Sequence, residues 1–134
     1  MKTDSIRMSA IIPAEPAAVY AAWMSSKGHA EMTGSAARVT ARVGGAFSAW
    51  EGYISGKTQA LAPPSRILQS WRTTDFSPEE PDSSLEVLLT KAKAGTKVTL
   101  VHTNIPAGRG GEYRKGWLDY YFEPMKEYFG ARKK

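Results

Sequence analysis

The residues best suited to chemistry are few. His102 and Asn104 alternate near the end of an apolar run, and Trp50, Trp71, Trp117 and Tyr121 each join a large ring to a polar handle. Alternation places His102 and Asn104 on the same strand face as Val98 and Leu100. Buried there, they must bond to one another, to a loop, to water or to a ligand. An imidazole with an ordinary pKa near 6.5 can act as a base, with Glu51 or Tyr121 as an imaginable proton-transfer partner. No nucleophile, base and acid set is readable from spacing, and Ser48, Ser55 and Ser70 read as ordinary strand serines. Glu51, beside Trp50 and Gly52, reads as a solvent-facing carboxylate at a strand start, near the rim of any cavity. His29, in a stretch of short helices, reads as a surface or packing residue.

Several chemistries are excluded by residue type. The chain has no cysteine, so disulfides, thiolate metal sites and a cysteine nucleophile are all absent. Two histidines remote in sequence, without a His-Glu-x-x-His arrangement, predict no metal site. Gly108-Arg109-Gly110-Gly111 has neither the P-loop lysine nor the strand–glycine–helix pattern of a dinucleotide fingerprint, so no cofactor is predicted; it reads as a mobile entrance loop before the last helix. Eighteen Lys and Arg against thirteen Asp and Glu give a formal charge of +5. That charge favours encounter with an anionic partner, but the arginines are scattered, and no nucleic-acid-reading motif accompanies them. Arg132-Lys133-Lys134 sits where cations suit a helix C-terminus.

Something must position these side chains, and the periodicity says what. Residues 4 to 12 alternate as a strand; Pro13 and Pro16 mark a change to helix, with Glu15 at its N-terminus. Val19, Tyr20, Trp23 and Met24 recur at helical spacing, and Ser25 or Ser26 caps a second short helix that stops near Gly34. Strands are then predicted at Val39 to Ala41, Phe47 to Trp50, Gly52 to Leu61, Arg66 to Arg72, Leu85 to Lys91 and Val98 to Ile105, with turns at Gly44-Gly45, residues 62–65 and residues 93–95. In the last segment Trp117, Tyr121, Met125 and Phe129 recur every four residues, with Leu118 and Phe122 alongside. That stripe needs a sheet to cover it, and Pro124 should bend the helix. The 134 residues predict one domain, and the absence of a long apolar run predicts a cytoplasmic protein that does not insert in a membrane.

Ile12-Pro13-Ala14-Glu15-Pro16 with Val19 to Trp23, Gly44-Gly45 before Phe47, and Glu51-Gly52 followed by Gly56 form an ordered set. Pro63 to Ile67 leading to Trp71, Gly95 to His102, and Gly116-Trp117 continue it. In order and spacing the chain resembles the START-like, Bet v 1-like superfamily (SRPBCC), and within it the family named for the activator of Hsp90 ATPase homologues. The resemblance implies an α+β helix-grip fold, in which a seven-stranded antiparallel sheet curls around a long C-terminal helix with two short helices after the first strand. It also implies a cavity between sheet and helix that takes a small hydrophobic molecule such as a lipid, polyketide or aromatic compound. Trp50, Trp71, His102, Asn104, Trp117, Tyr121 and Met125 are the ligand-binding candidates, with Trp117 and Tyr121 expected opposite Trp71 and His102. An aromatase/cyclase-like enzyme and an Hsp90-type co-chaperone are the alternatives, and a homodimer is compatible with the same composition.

Overall fold

The computed structural model describes residues 2–132. Lys133 and Lys134 of the basic cluster, and the Arg132 side chain, lie outside the described residues. The chain runs β1 (Thr3–Ile12), α1 (Pro16–Trp23), α2 (Ser26–Thr33), β2 (Arg38–Val39), β3 (Ala46–Ala49), β4 (Ile54–Ala62), β5 (Arg66–Thr73), β6 (Ser83–Ala92), β7 (Gly95–Pro106), α3 (Gly110–Trp117) and α4 (Glu123–Arg132). A π-helical segment, Leu118–Phe122, joins α3 to α4.

The seven strands form one antiparallel sheet in the order β1-β7-β6-β5-β4-β3-β2. Sequential strands lie side by side except that β1 pairs with β7, bringing the two ends of the chain together. Period-2 alternation decides which face is buried: Ile67, Gln69 and Trp71 on β5, Leu85, Val87 and Leu89 on β6, and Val98, Leu100 and His102 on β7 are all buried. Register aligns them in rows, Ile67–Val87–Leu100–Met8 and Gln69–Leu85–His102–Ile6. The helices cover this face, and Trp117, Tyr121, Phe122, Met125 and Phe129 join it in one core cluster.

Local chemistry accounts for the element ends. Pro16 opens α1 and Ser25 Oγ accepts from Gly28 N at 2.7 Å, capping α2, which stops at the left-handed Gly34. Glu15 does not cap α1; its carboxylate pairs with Lys91 instead. The glycine-rich run before α3 is not a free loop, because Asp4 Oδ2 accepts from Gly108 N at 3.0 Å and Gly110 N at 2.8 Å. A carboxylate at a helix N-terminus satisfies orphan donors and suits the dipole, and here it ties that helix to β1.

The C-terminal helix departs from a straight α-helix where Pro124 requires it. Pro124 has no N–H for the carbonyl four residues back and its ring crowds that carbonyl; a π turn, with Glu123 N donating to Leu118 O, widens the helix just before it. The turn also keeps the four-residue stripe aligned. At 3.6 residues per turn such a stripe drifts by roughly 40° per step, and one wider turn reverses the drift. Trp117, Tyr121, Met125 and Phe129 are therefore all buried. Leu118 is not part of the stripe: it lies on the outer side, 43% exposed. None of the described helices is long and apolar enough to cross a membrane.

Candidate functional site

A cavity of about 530 Å³ opens between β5, the turn from β3 to β4, and the α3–π segment of the last helix. Trp71 supplies the sheet side, and around it pack Tyr113 at 5.2 Å and Trp117 at 5.5 Å between ring centroids. Tyr121 continues the helix side, 4.8 Å from Trp117. At the mouth Trp50 meets the exposed Tyr120 edge to face at 5.0 Å, with Tyr53, Ile54, Glu112 and Gly116 completing the lining.

The mouth rests on an unusual turn. Trp50, Glu51 and Gly52 have φ of 53°, 57° and 91°, three left-handed residues in succession, of which only Gly52 is suited to that region. Their geometry swings Trp50 over the opening, and its Nε1 is buried without a hydrogen-bond partner. Among the described residues only one other buried side-chain polar atom, Ser35 Oγ, shares that condition.

Behind the wall lie two buried histidines with opposite tautomers. Trp117 Nε1 can only donate, so His102 Nδ1 accepts from it at 3.1 Å and the ring proton sits on Nε2. Nε2–H then donates to Ser83 Oγ at 2.8 Å, and the Ser83 hydroxyl donates in turn to the Trp71 carbonyl at 2.7 Å. His29 is the mirror case: Nδ1–H donates to the Trp23 carbonyl at 2.9 Å, leaving Nε2 to accept from Tyr121 Oη at 2.7 Å. Burial lowers both imidazoles, His102 to about 3 and His29 below its ordinary value despite the bond to Trp23. Burial likewise raises the Tyr121 phenol. With both nitrogens of each ring engaged, neither histidine has a lone pair free to take a proton from a ligand.

The structure thus brings Trp50, Trp71, Trp117 and Tyr121 to one cavity and separates the other three candidates from it. His102 lies behind the wall, consumed by Trp117 and Ser83. Asn104 departs from the face of Val98 and Leu100 because β7 carries a bulge there: Asp4 pairs with Ile105 and Ile6 with His102, so two residues of β7 oppose one of β1. Asn104 takes the left-handed conformation at that bulge, φ 59°, and its exposed side chain donates to the Asp82 carbonyl. Met125 is fully buried in the core on α4, past the π turn, where the helix packs over β1 and α2. Glu51 is exposed and does not line the cavity.

Sequence reasoning missed Tyr53, Tyr113, Tyr120 and Glu112 on the lining and His29 behind it. Tyr113 was within reach, since it precedes Trp117 by four residues and extends the stripe backward. His29 carried no such signal, because its partner Tyr121 is 92 residues away. Gly116 does not mark a close approach of helix to sheet: a methyl group there would meet only Tyr120, at 3.8 Å. No group of three or more His, Cys, Asp or Glu among the described residues is placed to hold a metal ion.

This architecture recurs among known proteins. The human activator of 90 kDa heat shock protein ATPase homolog 1 is 27% identical over 128 residues, covering 96% of this chain and 38% of that protein's length. The chain therefore spans less than two fifths of that relative. A crystal structure of an Hsp90 activator from Plasmodium falciparum superposes with a TM-score of 0.85 at 25% identity, covering 94% of this chain and 96% of the other. CalU16 from Micromonospora echinospora shares the fold, with a TM-score of 0.68 at 24% identity over 96% of this chain and 74% of its own. The model of the activator of Hsp90 ATPase homolog 1-like proteins matches residues 13–130, nearly the whole helix-grip unit from the end of β1 through α4. The chain belongs to that family, within the Bet v 1-like superfamily.

Proposed function

We propose that this chain is a partner domain for an Hsp90-type chaperone ATPase. The observation that carries the reading is its likeness to the Plasmodium falciparum Hsp90 activator, which extends over almost the full length of both chains. The formal charge of +5 favours encounter with an anionic partner surface. The test is association of the purified chain with an Hsp90-type chaperone by calorimetry, followed by ATPase turnover with and without the chain. Absence of both association and any change in turnover would sink it.

A second reading is binding of a small, mostly apolar molecule in the aromatic cavity, and the lining favours it. The volume falls in the range of small-molecule sites, about 300–1,000 Å³, and seven of the ten lining residues are aromatic. Native mass spectrometry of the purified protein, with extraction and a panel of lipids and aromatic compounds, tests this directly. An aromatase/cyclase-like reaction has less support, because His102, its best base, has both nitrogens occupied by protein partners.

A further inference from the structure

The polar handles of the cavity's aromatic walls are largely spent inside the protein. Tyr53 Oη donates to Asp75 Oδ2 at 2.7 Å, Tyr113 Oη is bonded to Thr73 Oγ1 at 2.8 Å, and Trp117 and Tyr121 donate to the two histidines. Apart from the unpartnered Trp50 Nε1 donor at the mouth, what these walls offer a guest is mainly ring surface. An aromatic face carries a negative quadrupole, so a cavity walled by such rings attracts positive charge and gives a neutral guest only contact area. The single ionisable aliphatic group in the lining has the same sign: Glu112, in the first turn of α3, is a carboxylate, and neither Lys nor Arg lines the cavity. Arg109, three residues before Glu112, is not on the lining; Tyr113, Glu80 and Glu112 nearby favour its charged form.

We infer that the cavity is a site for an organic cation, a quaternary or fully alkylated ammonium on an aryl or alkyl body, with the cationic head against the ring faces and Glu112 at the mouth. The inference rests on the second reading above and specifies the ligand class. Rings contribute through their faces, an attraction that grows once water is excluded, and the carboxylate neutralises the charge without burial of a second ion.

Phenyltrimethylammonium and tert-butylbenzene decide the matter, since they match in shape and differ in one atom, N⁺ for C. A merely apolar cavity prefers the neutral compound, because moving a cation out of water is costly. Titration of the full chain with each, followed by tryptophan emission and by calorimetry at physiological salt, should show the cation binding about tenfold tighter, the scale of a partly desolvated cation–π contact. Glu112→Gln should weaken the cation severalfold and leave tert-butylbenzene unchanged, which a loss of fold would not do. If tert-butylbenzene binds as tightly or tighter, the inference is overturned while the cavity reading stands; if neither compound binds, both fall.

Discussion

Trp117 and His102 are joined by one hydrogen bond of 3.1 Å that fixes the tautomer of the imidazole, fastens the last helix to β7 and occupies the ring's one lone pair. Tyr121 repeats the device one turn later with His29. Trp117 and Tyr121 therefore serve at once as cavity wall and as helix anchors.

Breaking either anchor on one side should be worse than removing it whole. Trp117→Phe leaves His102 Nδ1 buried without a donor, and His102→Leu leaves Trp117 Nε1 without an acceptor; each should lower unfolding free energy by about 1–3 kcal/mol. The double variant should lose clearly less than the sum, because no unpaired group remains across that contact. Urea unfolding of the four proteins measures the coupling, and strict additivity would contradict the bond.

Tyr121→Phe keeps the ring on the cavity wall and deprives His29 Nε2 of its donor. A loss of about 1–3 kcal/mol in stability is expected, with the affinity of a neutral cavity guest little changed. A large fall in that affinity at constant stability would mean that the hydroxyl serves the guest instead of the histidine.

Acid should unfold the protein through its histidines. Both imidazoles are neutral when folded and titrate near 6.5 when unfolded, so the unfolded state binds more protons as soon as pH drops below that value. Their contribution is fully present above pH 6.5 and is lost as pH falls toward the folded value, about 3 for His102. By pH 5 His102 alone should remove roughly 2 kcal/mol, at about 1.4 kcal/mol per pH unit. Urea midpoints between pH 8 and pH 5 test this, and a flat profile would show that the imidazoles are already charged or exposed.

Gly56 is a position with no room for a side chain. A methyl group there would stand 1.9 Å from the Ser70 carbonyl oxygen and 2.8 Å from Phe47 Cε1, and the first of these is backbone of the paired strand. Gly56→Ala should cost about 1–3 kcal/mol or more, as overpacking does. Gly116→Ala, facing open space near Tyr120, should be neutral or stabilising because alanine favours helix. Thermal unfolding of the pair separates the two cases.

Glu51 sits in a left-handed conformation with no carboxylate contact to hold it there, φ 57°. Glu51→Gly should raise stability by up to about 1 kcal/mol, since glycine adopts that region freely. If the variant is less stable, the turn is held by something other than its backbone.

Much of this molecule was legible before its structure. Period 2 in strands such as residues 66–72 and 85–91, and the four-residue spacing of Trp117 to Phe129, dictated sheet, helix and the face each buries. The fold's order of elements followed from turn residues and from family-like motifs. What was hidden are departures from period: the bulge that turns Asn104 outward and the π turn that exposes Leu118. The pairing of His29 with Tyr121 was equally unreadable, because contacts between residues so far apart leave no mark in either one's neighbourhood. His102 was identified as a polar residue on an apolar face, but only geometry could say that its partners are Trp117 and Ser83.

The π-helical segment gives this helix a tolerance for change of length that helices seldom have. A single deletion in a regular α-helix turns everything beyond it by about 100°, which here would carry Met125 and Phe129 off the core. Between Trp117 and Pro124 the helix already contains one residue more than the α period needs. Removing Asp119 while replacing Pro124 with Ala, so that the missing donor is restored, should return the segment to ordinary α-helix with both flanking halves still facing their partners. Chains of this family that differ by one residue at this point can therefore share the same core, and the number of residues here is a weaker guide to structure than the identity of the rings on either side.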